Sequence, residues 1–467
     1  MNPTPVESLA AAAPAASRWN TSQAARTSRP RIHERGPQSG LHAGYRLCTD
    51  SLFRKGMLTV LDQAIVSAAN LATAILIGRL CSQEDLGVYS LALSIVVFAR
   101  GVQENVVSAP YLVYCHRRSG DERATYAGSS FAHHLALTAL AVSALLLFAL
   151  VSSRYGPAGL LPVLWVLLGA TPFLLLREYI RHLAFAHLQL SVAIAIDLVA
   201  CGLQIGGLLL LGVAGRLSVP AAYGVMGLAS AASAAAWLLW RPQPMRFERR
   251  RIAEDWRRNW SFARWALVTM LLGSAAPYLM PWILAGTEGV AETGAFYACQ
   301  TLVAVANMFA LGYCRFLGPR AARAMTEGGV AELRGVLAKS ALLFAAVIGA
   351  FCVVALAAGG PIVHAIYGTR YADAGPTIGV LALASLAGSM GIVVGNGLWA
   401  MERPAANFAA DVCSFLVTLA TAIALTASCG ALGAALATLA GIGVGTGVRA
   451  WTLRRLMQTQ ISEARAA

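Results

Sequence analysis

Twelve apolar stretches fill the chain from Leu58 to Ala450. Each runs for roughly 18–27 residues, which matches the ~20 residues a helix needs to cross a hydrocarbon core. They are Leu58–Leu80, Gly87–Val107, Gly128–Val151, Gly159–Leu176, Leu190–Val213, Val219–Trp240, Phe262–Ala285, Thr293–Leu317, Val336–Ala357, Thr377–Ala400, Asn407–Thr426 and Ala431–Ala450. A chain so patterned is all-α and spans a membrane many times. Arginine falls in alternate gaps. One set of gaps carries Arg26, Arg29, Arg31, Arg35, Arg46, Arg54 and Lys55, then Arg117, Arg118 and Arg123, then Arg177 and Arg181. It continues with Arg241, Arg246, Arg249, Arg250, Arg251, Arg257 and Arg258, then Arg320, Arg323 and Arg334, and ends on Arg454 and Arg455. The opposite gaps hold Arg79, Arg154, Arg216 and Arg370. Positive charge stays on the cytoplasmic side, so the pattern predicts cytoplasmic termini and a multi-pass protein of the inner (plasma) membrane.

Composition excludes other classes. With 57% hydrophobic and 12% charged residues, the chain is no ordinary soluble domain. The net charge of +14 belongs to the orientation signal and to anionic lipid. Its basic clusters lack the interleaved aromatics of a nucleic-acid surface, so the bilayer is a partner and nucleic acid is not. The nine cysteines form no Cys-x-x-Cys pair and no Cys/His ligand spacing, which predicts neither disulfides nor a metal. No Gly-x-x-x-x-Gly-Lys-Ser/Thr loop is present, so no nucleotide cofactor is expected. Any transport would draw on an ion gradient, the membrane potential or the substrate's own gradient.

The organisation expected is five-part: a disordered cytoplasmic tail over 1–50, a six-helix bundle over 51–240, a basic cytoplasmic linker over 241–261, a second six-helix bundle over 262–450, and a short cytoplasmic tail over 451–467. The tail is rich in Ala, Ser, Pro and Arg, with a faint likeness to a transit peptide. Internal similarity supports the division. Leu86-Gly87-Val88-Tyr89 follows Asp85 at the start of the second stretch, and Thr293-Gly294-Ala295-Phe296-Tyr297 follows Glu292 at the start of the eighth. Ala195-Ile196-Asp197-Leu198 likewise returns as Ala409-Ala410-Asp411-Val412, ten residues after Phe185-Ala186 and Trp399-Ala400 begin. Repeated halves of one orientation place a transporter's site near the midplane between them.

Charge inside the membrane costs at least ~2.5–3.5 kcal/mol per group, so it usually faces a cavity or a partner. Thr59, Asp62, Gln63, Asn70 and Thr73 share one face of the first stretch at helical spacing. Ser90, Ser94, Gly101, Glu104, Asn105 and Ser108 form a similar stripe on the second, bordered by Arg100. Arg100 and Glu104 stand four apart and can pair along the helix, either as plain neutralisation or as part of a wet site. Asp197 and Asp411 near their helix ends read as structural acids that cap a helix or meet a loop arginine. His133 and His134 are adjacent and so point apart. Pro277 and Pro281 should bend the seventh stretch.

Leu61-Asp62-Gln63, Asn70 and Gly78-Arg79-Leu80, followed by Glu84-Asp85-Leu86-Gly87-Val88-Tyr89, resemble the opening of Wzx-type polysaccharide flippases. So do Ile366-Tyr367-Gly368-Thr369-Arg370-Tyr371-Ala372-Asp373-Ala374 and Gly430-Ala431-Leu432-Gly433-Ala434-Ala435, and the likeness runs from about Leu52 to Met457. The resemblance implies the multidrug/oligosaccharidyl-lipid/polysaccharide exporter superfamily, with a V-shaped pair of six-helix bundles that alternates access. It implies that a polyprenyl-diphosphate-linked oligosaccharide is moved between leaflets, with glycan-assembly proteins as possible partners and no catalytic residues. Arg100 would meet the diphosphate, with Glu104, Asn70 and Asp62 as substrate-site companions. The competing reading is an H⁺- or Na⁺-coupled multidrug exporter using Asp62 for ion coupling. A membrane-embedded O-antigen ligase or polymerase would need a large outer loop that the chain does not show.

Overall fold

A computed structural model describes residues 51–157, 159–240 and 244–466, so the tail expected over 1–50 lies outside the described residues, as do 241–243 of the linker. Residues Lys55–Ala467 form one compact unit. In lipid each backbone N–H and C=O must find its partner within the segment, and the described chain is accordingly helix upon helix, with no strand among the described residues.

The helices are α1 (Ser51–Leu80), α2 (Gln83–Gln103), the short α3 (Ala109–Tyr114), α4 (Gly120–Tyr155), α5 (Leu160–Ala186), α6 (Leu190–Val213), α7 (Val219–Trp240), α8 (Arg249–Thr287), α9 (Val290–Tyr367), α10 (Gly375–Ala400) and α11 (Pro404–Ala466). Among the described residues nine helices are long and apolar enough to cross a membrane, and α8, bent by 46° between Arg249–Leu271 and Ala276–Thr287, makes ten. Two of them double back. In α9 the break is at Gly329 (φ 63°). Tyr313 and Ser340 meet across it at 3.2 Å, and Thr301 meets Tyr367 at 2.6 Å. In α11 the break is at Gly430 (φ 52°), and Arg449 reaches back to Asp411. Splitting both gives twelve crossings among the described residues, the number the hydropathy pattern predicts. The structure is that of a multi-pass membrane protein.

Two boundaries differ from the sequence reading. α5 runs on to Ala186, ten residues past the expected end, so Arg177 and Arg181 lie on the helix and not in a gap. No Gly or Pro interrupts 173–186, so nothing stops the helix there. The second difference is the basic linker, whose residues from Arg249 onward are the opening turns of α8. Asp255 and Asn259, one turn apart and both buried, dock that turn onto α4 and its approach: Arg118 binds Asp255 at 2.8 Å and Tyr126 donates to Asn259 at 3.0 Å. The Arg246 N–H adds a bond to the Ala124 carbonyl at 3.0 Å.

Most arginine-bearing turns lie at one end of the bundle, termed here the basic end. At the opposite end the repeated glycines explain themselves. A Cβ on Gly87 would sit 1.8 Å from the Val290 carbonyl oxygen, and one on Gly294 would sit 2.1 Å from that of Gln83. α2 and α9 therefore cross backbone to backbone, as small residues permit in a membrane. Glu292, the acid before the second motif, accepts a bond from the Ala431 N–H at 2.9 Å and so caps the segment restarted at Gly430.

The opposite end is also clasped by two of the four arginines found there. Arg79, at the end of α1, donates Nε to the Ile366 carbonyl at 2.6 Å and Nη2 to that of Ala365. Arg370, just after α9, donates to the Cys81 carbonyl beyond α1. Each guanidinium satisfies carbonyls left unpaired where the other's helix ends.

Candidate functional site

The basic-end third of the first six crossings holds a cluster of charge drawn from α1, α2, α5 and α6. Asp62 and Asp197 are 1% and 0% exposed, so each needs a counter-charge. Arg181 supplies both: its Nη2 meets Asp62 at 2.6 Å and its Nε lies 2.7 Å from Asp197. Arg177 also binds Asp197, and Glu178 meets Arg181 at 3.0 Å. Positions 177, 178, 181 and 182 recur at helical spacing, so one face of α5 carries the whole array. His182 closes it, with Nδ1 2.9 Å from the Glu178 carbonyl oxygen and Nε2 3.8 Å from Glu104 of the following π turn.

Arg100 stands apart. It reaches the same cluster from α2, and Glu178 is close enough to act on its charge, yet it makes no ion pair among the described residues. Its Nε is buried with no hydrogen-bond partner, and the same holds for Nε of Arg177. Unpaired buried donors of this kind cost ~1–3 kcal/mol each, more when charged, and they call for an acceptor. Arg100 and Arg177 therefore each present a spare N–H donor to one region. Asp62, Asp197 and Glu178 hold Arg177 and Arg181 in place, leaving Arg100 as the cation without a fixed partner among the described residues.

The expected Arg100–Glu104 pair is not made. Glu104 opens a π-helical turn, Glu104–Ser108, whose Ala109 N–H bonds back to the Glu104 carbonyl. Pro110 accounts for that turn: it has no N–H to give Val106, and its ring would clash with the Val106 carbonyl in a regular helix. The widened turn carries Glu104 away to His182, leaving its side chain 59% exposed. Asn70 is exposed on α1 and joins none of these contacts. Its predicted face splits in two. Gln63 and Asn70 are exposed, while Asp62 and Thr73 turn inward, where Gln204 of α6 donates to Thr73 at 2.8 Å.

The structural acids have different partners from those expected. Asp197 is held by helix arginines Arg177 and Arg181, and Asp411 by Arg449 of the returning arm of α11, which also meets Asn407 at 3.3 Å. Neither aspartate caps a helix or meets a loop arginine. The repeat thus keeps an ion-paired acid, buried at Asp197 and part-exposed at Asp411, but draws its arginine from the preceding helix in one half and the following arm in the other. Arg177, Arg181, Glu178, His182 and Arg449 were not singled out from sequence. The available signal was electrostatic: Asp62 and Asp197 inside apolar helices demand cations, and the uninterrupted run to Ala186 offers two. His133 and His134 point apart, as expected. His133 accompanies the Ile252 carbonyl at 2.9 Å, and His134 stacks on Tyr179 at 4.7 Å between centroids.

This helical architecture is the fold of solved membrane transporters. It is similar to the inward-facing form of a multidrug-resistance MATE family transporter, with TM-score 0.70 and 14% identity over 84% of this chain and 95% of that one. The outward-facing form of a MATE family transporter gives TM-score 0.58 at 14% identity over 87% of this chain and 95% of the other. The lipid II flippase MurJ, in an inward closed conformation, gives TM-score 0.70 and 13% identity over 85% of this chain and 87% of that one. No protein-family model and no curated protein matches the sequence.

Proposed function

We propose that this protein flips a polyprenyl-diphosphate-linked oligosaccharide from the inner to the outer leaflet by alternating access. The observation that carries the reading is Arg100, a half-buried guanidinium with an orphaned Nε, set near Arg177, whose own Nε lacks an acceptor. Guanidinium meets phosphate oxygens through paired, charge-assisted bonds. A diphosphate would take the place that no carboxylate occupies. The clasp at the opposite end and the higher TM-score to an inward-facing than to an outward-facing transporter support a chain closed on that side. With the arginine-rich gaps cytoplasmic, the site opens toward the leaflet where lipid-linked sugars are assembled, and both termini are cytoplasmic. The halves that rock are the six crossings on either side of the linker, with Glu104 and His182 orienting the head group and glycan-assembly proteins delivering it.

The test is substitution in a strain whose surface glycan depends on the gene. Arg100→Ala abolishes export at normal membrane abundance, while Arg100→Lys keeps part of it, having lost the bidentate geometry. An ion-coupled multidrug exporter would use the same cluster, but Asp62 is already held in a 2.6 Å ion pair with Arg181. Normal surface glycan combined with new sensitivity to cationic drugs on gene deletion would replace the flippase reading with that one.

A further inference from the structure

Tyr114, the last residue of α3, holds two arginines against one ring. The Arg117 guanidinium lies 5.6 Å from the ring centroid, and that of Arg258, in the opening turns of α8, lies 4.7 Å from it. Both are cation–π contacts, and neither arginine makes an ion pair among the described residues. Helical spacing offers Arg258 two acids, Glu254 four residues back and Asp255 three back. Both are engaged elsewhere: Glu254 binds Arg250 at 3.0 Å, and Asp255 binds Arg118 at 2.8 Å. Two like charges gathered on one ring, with no carboxylate between them, repel each other until an anion bridges them.

The same face of α8 continues away from the basic end as hydrocarbon. Phe262 and Trp265 follow Arg258 at i+4 and i+7, within ~10 Å along the helix axis. Phe262 meets Tyr114 edge to face at 6.4 Å, and Trp265 is 67% exposed. Arginines followed by exposed aromatic rings suit the depth at which lipid headgroups give way to acyl chains. We propose that Arg117 and Arg258 bind the phosphate of an anionic phospholipid whose acyl chains lie along Phe262 and Trp265. A free phosphate would satisfy the arginines but leave that apolar stripe bare. Arg117 precedes the linker and Arg258 follows it, so one headgroup bridges α3 and α8. It adds to the protein contacts that already join this end of α8 to α4 and its approach, Arg118 with Asp255 and Tyr126 with Asn259. The site uses neither Arg100 nor its cluster, and it stands whatever ligand Arg100 takes.

The experiment is native mass spectrometry of the purified full-length protein in detergent, titrated with dioleoylphosphatidylglycerol or dioleoylphosphatidylcholine. The two lipids share their acyl chains and phosphate, but choline carries a cation that the arginines repel. The wild-type protein should retain its first phosphatidylglycerol at least about tenfold more tightly than phosphatidylcholine, from two arginines beside one anionic headgroup. Arg117→Ala with Arg258→Ala should remove that preference, and the double Arg→Lys variant should keep part of it. Both side chains are exposed, so the protein should stay folded, as thermal melting in the same detergent checks. Arg334→Ala, an exposed arginine on the far side of the Gly329 break, should change nothing. Glycerol 3-phosphate in millimolar excess should not displace the lipid. Equal retention of the two lipids by the wild-type protein, an equal loss in Arg334→Ala, or a preference that survives the double Arg→Ala variant would overturn the proposal. Displacement by glycerol 3-phosphate would also overturn it, by assigning the arginines to a free phosphate.

Discussion

Breaking the clasp at the end opposite the basic one should open that side. Arg79 makes two bonds to carbonyls at the end of α9, one of them at 2.6 Å, and Arg370 makes one to Cys81. Because Arg79 is exposed, its bonds exchange with water when the side opens, so each is worth ~1 kcal/mol net and not its gas-phase strength. Its charge also lies beside the negative end of a helix, adding a few tenths. Arg79→Ala should therefore shift the closed–open balance by ~2 kcal/mol, roughly 30-fold. Cys81 is the built-in reporter. It is 8% exposed, and its thiol pKa is pushed up to about 11, by burial first and then by Asp85, against the opposing pull of Arg370. Thiolate is the reactive form, so in the clasped state Cys81 should alkylate slowly at neutral pH. With Cys81 as the sole cysteine, maleimide labelling in membranes should rise by roughly that factor, up to ~30-fold, in Arg79→Ala, and less in Arg370→Ala, which loses one bond. A labelling rate unchanged by both substitutions would refute the clasp as a determinant of closure.

Other consequences are sharper in sign than in size. Asp197→Ala strands the buried Arg177 and takes one of Arg181's three acidic partners, and should cost ~3–5 kcal/mol, whereas Asp411→Ala frees one pair whose acid is 36% exposed and should cost about 1, as ranked by thermal denaturation in detergent. His187, between α5 and α6, has its pKa lowered by burial first and then by Arg123 and His116, while its ring lies 3.0 Å from the Tyr111 hydroxyl. The unfolded chain then binds the proton more readily, so stability is full above pH ~6.5, falls as pH drops from there through the lowered folded value, and levels off below it; His187→Gln should flatten that slope in a pH series of melting curves. Reporter fusions after Phe247 and after Gly286 should report opposite faces of the membrane, and a shared face would break the twelve-crossing topology.

Much of the fold is legible in one dimension because the bilayer acts as a uniform solvent. A ~20-residue apolar run has one outcome in lipid, so the crossings can be counted from hydropathy alone. Gly87 and Gly294 were visible as a repeat before their crossing explained them, and Pro277 and Pro281 fall in the segment that follows the 46° bend. The site was half legible. Asp62, Arg100, Glu104 and Asp197 stood out because charge inside an apolar run is costly wherever it occurs.

Which charges meet was settled by packing. Arg177 and Arg181 look like loop charges in the sequence, and Arg100 and Glu104 look like a pair. Helix α5 carries the first two into the bundle, and the Pro110-driven π turn parts the second two. An i,i+4 rule sees one helix, whereas an ion pair between α1 and α5 depends on how helices far apart in sequence lie together. The reciprocal clasp of Arg79 and Arg370 has the same origin: each arginine bonds helix-end carbonyls nearly three hundred residues away, which local pattern cannot anticipate. Hydrophobic length therefore dictates how often this chain crosses the membrane, and only the packing of those crossings leaves Arg100 without a carboxylate ion pair among the described residues.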